Sequence, residues 1–149
     1  MKPLLLSALA STLALGADFV AGGVNWNQYA APQVNGWGAY SRQVADRVYS
    51  FSTAEVTSVS AAKFLSQVSF RTGIATPILE HFGPFTVYAT ADAGVASSGT
   101  NVGGSYSGGG AVVAPLGKGW FLVIPVRVIK TSLSDRQVAV GMGIGWGRQ

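Results

Sequence analysis

Residues 138–147 read VAVGMGIGWG. Val138, Val140, Met142, Ile144 and Trp146 alternate with Ala139, Gly141, Gly143, Gly145 and Gly147. Alternation with period two marks a β-strand whose two faces meet different surroundings. Glycine weakens a strand interior, because it packs nothing and loses the most backbone freedom on folding. A half-buried strand of a soluble protein sets Lys, Glu or Thr opposite its core face. This one sets almost nothing there.

Composition points the same way. The 149 residues suit one domain with a substantial core. Charged residues make up 11% of the chain, against roughly 25% in soluble domains. With 48% apolar residues and 20 glycines, the chain has too little charge to clothe a fully solvated surface, so part of its exterior is expected to face something other than water. The net charge of +4 comes from ten basic and six acidic groups scattered without a basic run, so no nucleic-acid partner is expected. The chain has no Cys and a single His, which argues against disulfides, metal sites and cofactors that need such ligands.

The N-terminus, MKPLLLSALASTLALGAD, has one positive charge followed by an apolar stretch from Pro3 to Ala17. That pattern matches a short secretory signal, and the stretch falls short of the ~20 residues of a spanning helix. The expected division is a signal peptide over 1–17 and one domain over 18–149. The most apolar later run, WFLVIPVRVI at 120–129, contains Pro125 and Arg127 and is too short to span as a helix.

After the signal, strand-like stretches alternate with turn signals: Phe19 to Tyr29, Val34 to Gln43, Arg47 to Thr57, Phe64 to Ile78, Phe85 to Ala96, Tyr106 to Leu116, Trp120 to Thr131, and the opening stretch. Leu79 to Pro84 reads as a tight turn, residues 97–105 (SSGTNVGGS) as a flexible loop, and Ser134-Asp135-Arg136 as a further turn. Residues 42–49 have the composition for one helical turn. Connections this short force antiparallel neighbours, and an eight-stranded meander closes into a barrel to remove its free edges. The expected fold is therefore an all-β, eight-stranded antiparallel up-and-down barrel with short loops.

Two barrels compete. A soluble lipocalin-like barrel, binding a small apolar ligand, points its apolar face inward. A transmembrane barrel turns that face to lipid and fills its lumen with small and polar side chains. The polar faces here carry Gly, Ser and Thr far more than Lys or Glu, and the strands match the ~9–11 residues that cross a bilayer when tilted. The lipid-facing set is then Val87, Leu122, Ile124, Val126, Val138, Val140, Met142 and Ile144. Trp26, Trp37, Trp120 and Trp146 lie toward strand ends, where interfacial aromatic girdles belong. The faces of strands one, two, three and six are not assigned.

On these features (signal, eight amphipathic strands and aromatic belts) the whole mature chain resembles the small eight-stranded outer-membrane barrels of Gram-negative bacteria, the OmpA-like and OmpX-like class. The resemblance implies an outer-membrane location and a monomer in contact with membrane lipid. It also implies delivery by periplasmic chaperones and the barrel-assembly machinery. Members of that class usually end on an aromatic residue and have long outward loops; here Trp146 is followed by Gly147-Arg148-Gln149, and the longest loop expected is 97–105.

A turn centred between His81 and Phe82 would set Arg71 directly opposite Asp92, both on the inward parity, where an Arg–carboxylate pair suits a confined interior. Arg127 shares that parity, and Tyr88, Gln67 and Thr90 are candidate hydrogen-bond partners. Eight strands leave room for little beyond side chains, so this network is expected to plug the lumen; a narrow pore is the functional alternative. A lipid-modifying enzyme would need a nucleophile, a base and an orienting acid. The single His81 stands beside Pro84 and Gly83 in a turn, at the end away from Ser132 and Ser134, so no catalysis is expected.

Overall fold

The computed structural model describes residues 19–28, 33–57 and 67–147. Eight antiparallel strands close into a barrel in chain order: β1 (Phe19–Gln28), β2 (Gln33–Ala45), β3 (Val48–Thr57), β4 (Gln67–Phe82), β5 (Phe85–Ser98), β6 (Asn101–Gly117), β7 (Trp120–Thr131) and β8 (Ser134–Gly147). The barrel closes between the first strand and the last, with Phe19 opposite Gly147 and Val24 opposite Met142. The proposed signal segment lies outside the described residues, as does the expected start of the fourth strand at Phe64.

The register fixes the shape. Pairs traced from Gln28 through Val138, Val128, Gly108, Ala91, Ile74, Ser50 and Arg42 return to β1 one step before Phe19, a shear of 10 residues (28 − 18 = 10). For eight strands this shear gives a tilt of ~41° and a backbone radius of ~8 Å, taking ~3.3 Å per residue and ~4.8 Å between strands. The 12 residues of β7 then climb ~30 Å along the axis, the thickness of a bilayer's hydrocarbon core.

The strands run further than composition suggests. The Gly/Ser-rich tract 97–105, expected as a loop, is the tip of a hairpin: only Gly99 and Thr100 turn, and β6 is already paired at Asn101. Small residues that mean a loop in a soluble protein here continue the ladder, because the lumen has room for little else. The turn expected over 79–84 likewise shrinks to Gly83-Pro84, with Gly83 at the positive φ of 63° that the first position of such a hairpin needs. Leu79 to Phe82 are strand. Ser132 and Leu133, in place of Ser134 to Arg136, turn the chain into β8. The candidate helical turn at 42–49 is instead the end of β2, the turn Asp46-Arg47 and the start of β3.

The termini of the barrel share one end with the turns at 46–47, 83–84 and 118–119; the turns at 99–100 and 132–133 mark the other. On β8, Val138, Val140, Met142, Ile144 and Trp146 are exposed, and Ala139, Gly141, Gly143 and Gly145 are buried. Val87, Leu122, Ile124 and Val126 stand on the same outward parity, Leu122 beside Ile144 and Val126 beside Val140.

Candidate functional site

The inward residues form layers along the axis, because alternate strands bring side chains to the same height. At the terminal end, strands β1, β3, β5 and β7 contribute Phe19, Tyr49, Tyr88 and Phe121. Edge-to-face contacts link them: Phe121 to Phe19 at 5.9 Å between centroids, Phe19 to Tyr49 at 5.9 Å and Tyr49 to Tyr88 at 5.8 Å. These four rings line, together with Ala21, Ala39, Ala75 and Ala111 deeper in, a cavity of about 560 Å³ that opens at this end.

Beyond the cavity, four charges of alternating sign close a ring across the lumen. Arg71 donates from Nη2 to Glu55 Oε2 at 2.5 Å and places Nε 3.1 Å from Asp92 Oδ1. Arg127 stands 3.8 Å from Glu55 Oε2 and 3.8 Å from Asp92 Oδ2. The four come from β3, β4, β5 and β7, and none is more than 6% exposed. Two cations and two anions leave the ring neutral, which is what allows it to exist in a confined interior. Neighbouring side chains add further hydrogen bonds to the ring. Asn25 and Asn35 donate to Glu55 Oε1 at 3.1 and 3.2 Å, Ser107 donates to Asp92 Oδ1 at 2.8 Å, and Arg71 Nη1 donates to Ser69 at 2.8 Å and to Ser105 at 3.3 Å.

The glycines explain how the barrel accommodates this bulk. Arg71 pairs across the sheet with Gly94, Asp92 with Gly73, Arg127 with Gly109, Asn25 with Gly141, Trp37 with Gly23 and Phe121 with Gly145. A Cβ at Gly73 or Gly94 would run into the backbone of the neighbouring strand, and one at Gly141, Gly143 or Gly145 into Asn25, the Trp37 ring or the Phe121 ring. The empty face of VAVGMGIGWG is therefore space taken by Asn25, Trp37 and Phe121.

The expected site residues are distributed as follows. Arg71 and Asp92 meet, although they are not directly opposite: the hairpin turns at Gly83-Pro84, two residues beyond the expected centre, and the irregularities between Pro77 and Leu79 and between Leu79 and Phe82 take back only part of that shift, so that Arg71 faces Gly94 and Asp92 faces Gly73. Arg127 joins them. Tyr88 stands apart, in the aromatic layer against Tyr49. Thr90 lines the cavity, and Gln67 lies beyond Ser69 toward the far end. Trp26, Trp120 and Trp146 are exposed, but Trp37 is a correction: at 9% exposure it is buried in the lumen. It shares inward parity with Asn35, and Gly23 and Gly143 make room for its ring.

Glu55, which accepts from Asn25 and Asn35 and pairs with both arginines, is a ring member that the expected site does not include, because the faces of its strand are not assigned from sequence. Position in the strand does not single it out: Glu55 lies two residues before the end of β3, as Glu80 does in β4, and only Asp92 falls in the middle of a strand. Among the described residues, no cluster of His, Asp and Glu is arranged to hold a metal ion. His81 belongs to β4 at the terminal end, while Ser132 turns the chain at the opposite end.

No protein-family model and no curated protein matches the sequence. Solved structures do match the fold. Neisserial surface protein A is similar at a TM-score of 0.64 and 10% identity, over 87% of this chain and 95% of that one. A structure from the de novo design of transmembrane β-barrels is similar at a TM-score of 0.52 and 10% identity, over 87% of this chain and 96% of that one. The chain thus shares the closed eight-stranded fold of small outer-membrane barrels.

Proposed function

We propose that this protein is an integral outer-membrane barrel, a monomer whose exterior meets membrane lipid and whose lumen is plugged by the Glu55–Arg71–Asp92–Arg127 ring. Its role in this reading is structural or interactive rather than catalytic. The observation that carries the reading is inverted polarity. Met142 is 51% and Ile144 55% exposed, while Glu55 is 2% and Arg71 3% exposed. Such an exterior is costly in water and favourable in hydrocarbon. Hydroxyls on the outer face pair with one another or with the backbone, Ser52 with Thr72 at 3.1 Å and Thr72 with the Phe51 carbonyl at 3.1 Å, as a bilayer demands.

A soluble lipocalin-like barrel would need the opposite arrangement, with charge outside and apolar groups at its centre. Passage to the membrane would depend on periplasmic chaperones and the barrel-assembly machinery, since the exposed face would aggregate in water.

The test is refolding of residues 18–149 into phosphatidylcholine vesicles, with insertion read by heat-modifiable gel migration and the lumen by planar-bilayer recording. The reading expects insertion without steady conductance. A chain that stays soluble and monomeric outside the vesicles would refute the membrane assignment, and steady conductance would replace the plug with a pore.

A further inference from the structure

The exterior of β7 and β8 is apolar over most of its height, but at the end away from the termini three long polar side chains stand in a row. Tyr106 on β6 pairs directly with Lys130 on β7. Ile129 pairs with Gln137, and the irregularity beyond that pair sets Lys130 beside Arg136 on β8. All three point outward. Tyr106 is 59% exposed and Arg136 is exposed, while Lys130 stands between Ile129 and Thr131, which are both buried in the lumen. Ten residues of β7 separate Lys130 from the exposed Trp120 (130 − 120 = 10), a climb of ~25 Å at a tilt of ~41°. With Trp120 at one interface, Lys130 lies at the headgroup level of the other, where long cationic side chains extend toward lipid phosphates.

These cations are unbalanced. Arg71 and Arg127 meet Glu55 and Asp92, and Arg47 meets Glu80, whereas Lys130 and Arg136 have no ion pair among the described residues. Even with Asp135, next to Arg136 in the chain, the row keeps a net positive charge. Like charges on neighbouring strands repel, so an anion held between them would stabilise the pair.

We infer that this row binds the terminal phosphate of an anionic membrane lipid. Lys130 and Arg136 supply charge-assisted hydrogen bonds, the guanidinium two in parallel, and the Tyr106 hydroxyl supplies one more. A terminal phosphate offers these donors three free oxygens; the diester phosphate of phosphatidylcholine offers two and carries a cation beside it. An acidic protein fits less well, because the flanks of the row are apolar and lipid-facing: Val128 is 42% and Val138 40% exposed. The inference rests on the membrane reading and adds a lipid class to it.

The experiment uses the Trp26→Phe/Trp120→Phe/Trp146→Phe/Val128→Trp variant inserted in phosphatidylcholine vesicles. The indole reporter at 128 stands two residues from Lys130, and Trp37 in the lumen adds a constant background. Phosphatidic acid brominated along its acyl chains should quench the reporter more than phosphatidylglycerol or phosphatidylcholine brominated in the same way, each at the same minor fraction. A cation at a charged lipid surface is worth about fivefold, so the preference for phosphatidic acid over phosphatidylcholine should be ~tenfold or more. Lys130→Gln and Arg136→Gln should each lower it about fivefold. Arg42→Gln, outward at the other end of the barrel, should leave it unchanged. Equal quenching by the three lipids, or a preference that survives in the Lys130→Gln/Arg136→Gln double variant, would overturn the inference. A preference shared equally by phosphatidylglycerol would overturn the assignment to a terminal phosphate. Absence of quenching by any of the three would instead refute the membrane reading, and heat-modifiable migration, read on each sample, separates that result from a failed barrel.

Discussion

Replacing Glu55 by Gln keeps the shape of the side chain and removes one of the four charges in the ring. Arg71 then loses its partner at Glu55 Oε2, and both arginines are left to share Asp92. The amide offers one acceptor oxygen where the carboxylate offered two. Either Arg71 or the Asn25–Asn35 pair, which donates to Oε1 at 3.1 and 3.2 Å, therefore loses its acceptor. Removing one partner from a buried ion pair costs ~3–5 kcal/mol, because the remaining charge is stranded. That is a large share of a total stability of ~5–15 kcal/mol. With a urea slope of ~2 kcal/mol per molar, the unfolding midpoint should fall by ~1.5–2.5 M. The assay is urea unfolding of vesicle-inserted protein, followed by tryptophan fluorescence and by loss of heat-modifiable migration. Glu80→Gln is the control: its ion pair with Arg47 is also within contact distance, at 3.2 Å, but the side chains are 38% and 56% exposed. Its midpoint should move by no more than ~0.5 M, since exposed pairs contribute ~0–1 kcal/mol. Adding Arg127→Met to Glu55→Gln restores neutrality and should recover ~1 kcal/mol or more of coupling. A Glu55→Gln midpoint within ~0.3 M of the parent would refute the reasoning.

Four further outcomes are expected in the same assay. Asp92→Ala should cost ~3 kcal/mol, since Arg71 and Arg127 each lose one of two carboxylate partners and Ser107 loses its acceptor. Gly143→Ala should destabilise by ~1–3 kcal/mol, because its Cβ would meet the Trp37 ring. Gly36→Ala, with open space around its Cβ, should be neutral or gain up to ~1 kcal/mol from the reduced entropy of the unfolded chain. Met142→Lys puts a charge at the middle of the exposed face and should cost ~2–4 kcal/mol in a bilayer, against ~0–1 kcal/mol for Trp146→Lys near the rim.

Much of this architecture can be read from the sequence, and the reason is physical. Lipid and a narrow lumen accept such different residues that strands touching both, β7 and β8 above all, alternate without ambiguity. Strand ends are harder to read. Ser97 to Ser105 has the composition of a solvated loop, yet small residues are also what a crowded lumen face requires. Trp37 resembles a girdle residue by identity and position, and only its pairing with Gly23 shows that it points inward. Asp92 could be linked to Arg71 through shared parity, but the place of the turn and the two irregularities before Gly83 set which residues lie directly opposite. The matching of each large inward side chain to a glycine needs the full register to see. Glu55 was not legible by position, because it lies as near the end of its strand as the exposed Glu80 does; only the register that sets it opposite Trp37 shows that it turns inward.

The most direct test of the membrane reading uses four variants, each retaining one tryptophan, inserted in vesicles that contain phospholipid brominated along its acyl chains. Bromine quenches at short range, so it reports which indoles touch lipid. Trp26, Trp120 and Trp146, each at least 40% exposed, should be quenched strongly, and Trp37, enclosed in the lumen, should keep its emission. Quenching of Trp37 to the same degree as the other three, or of none of the four, would contradict the account.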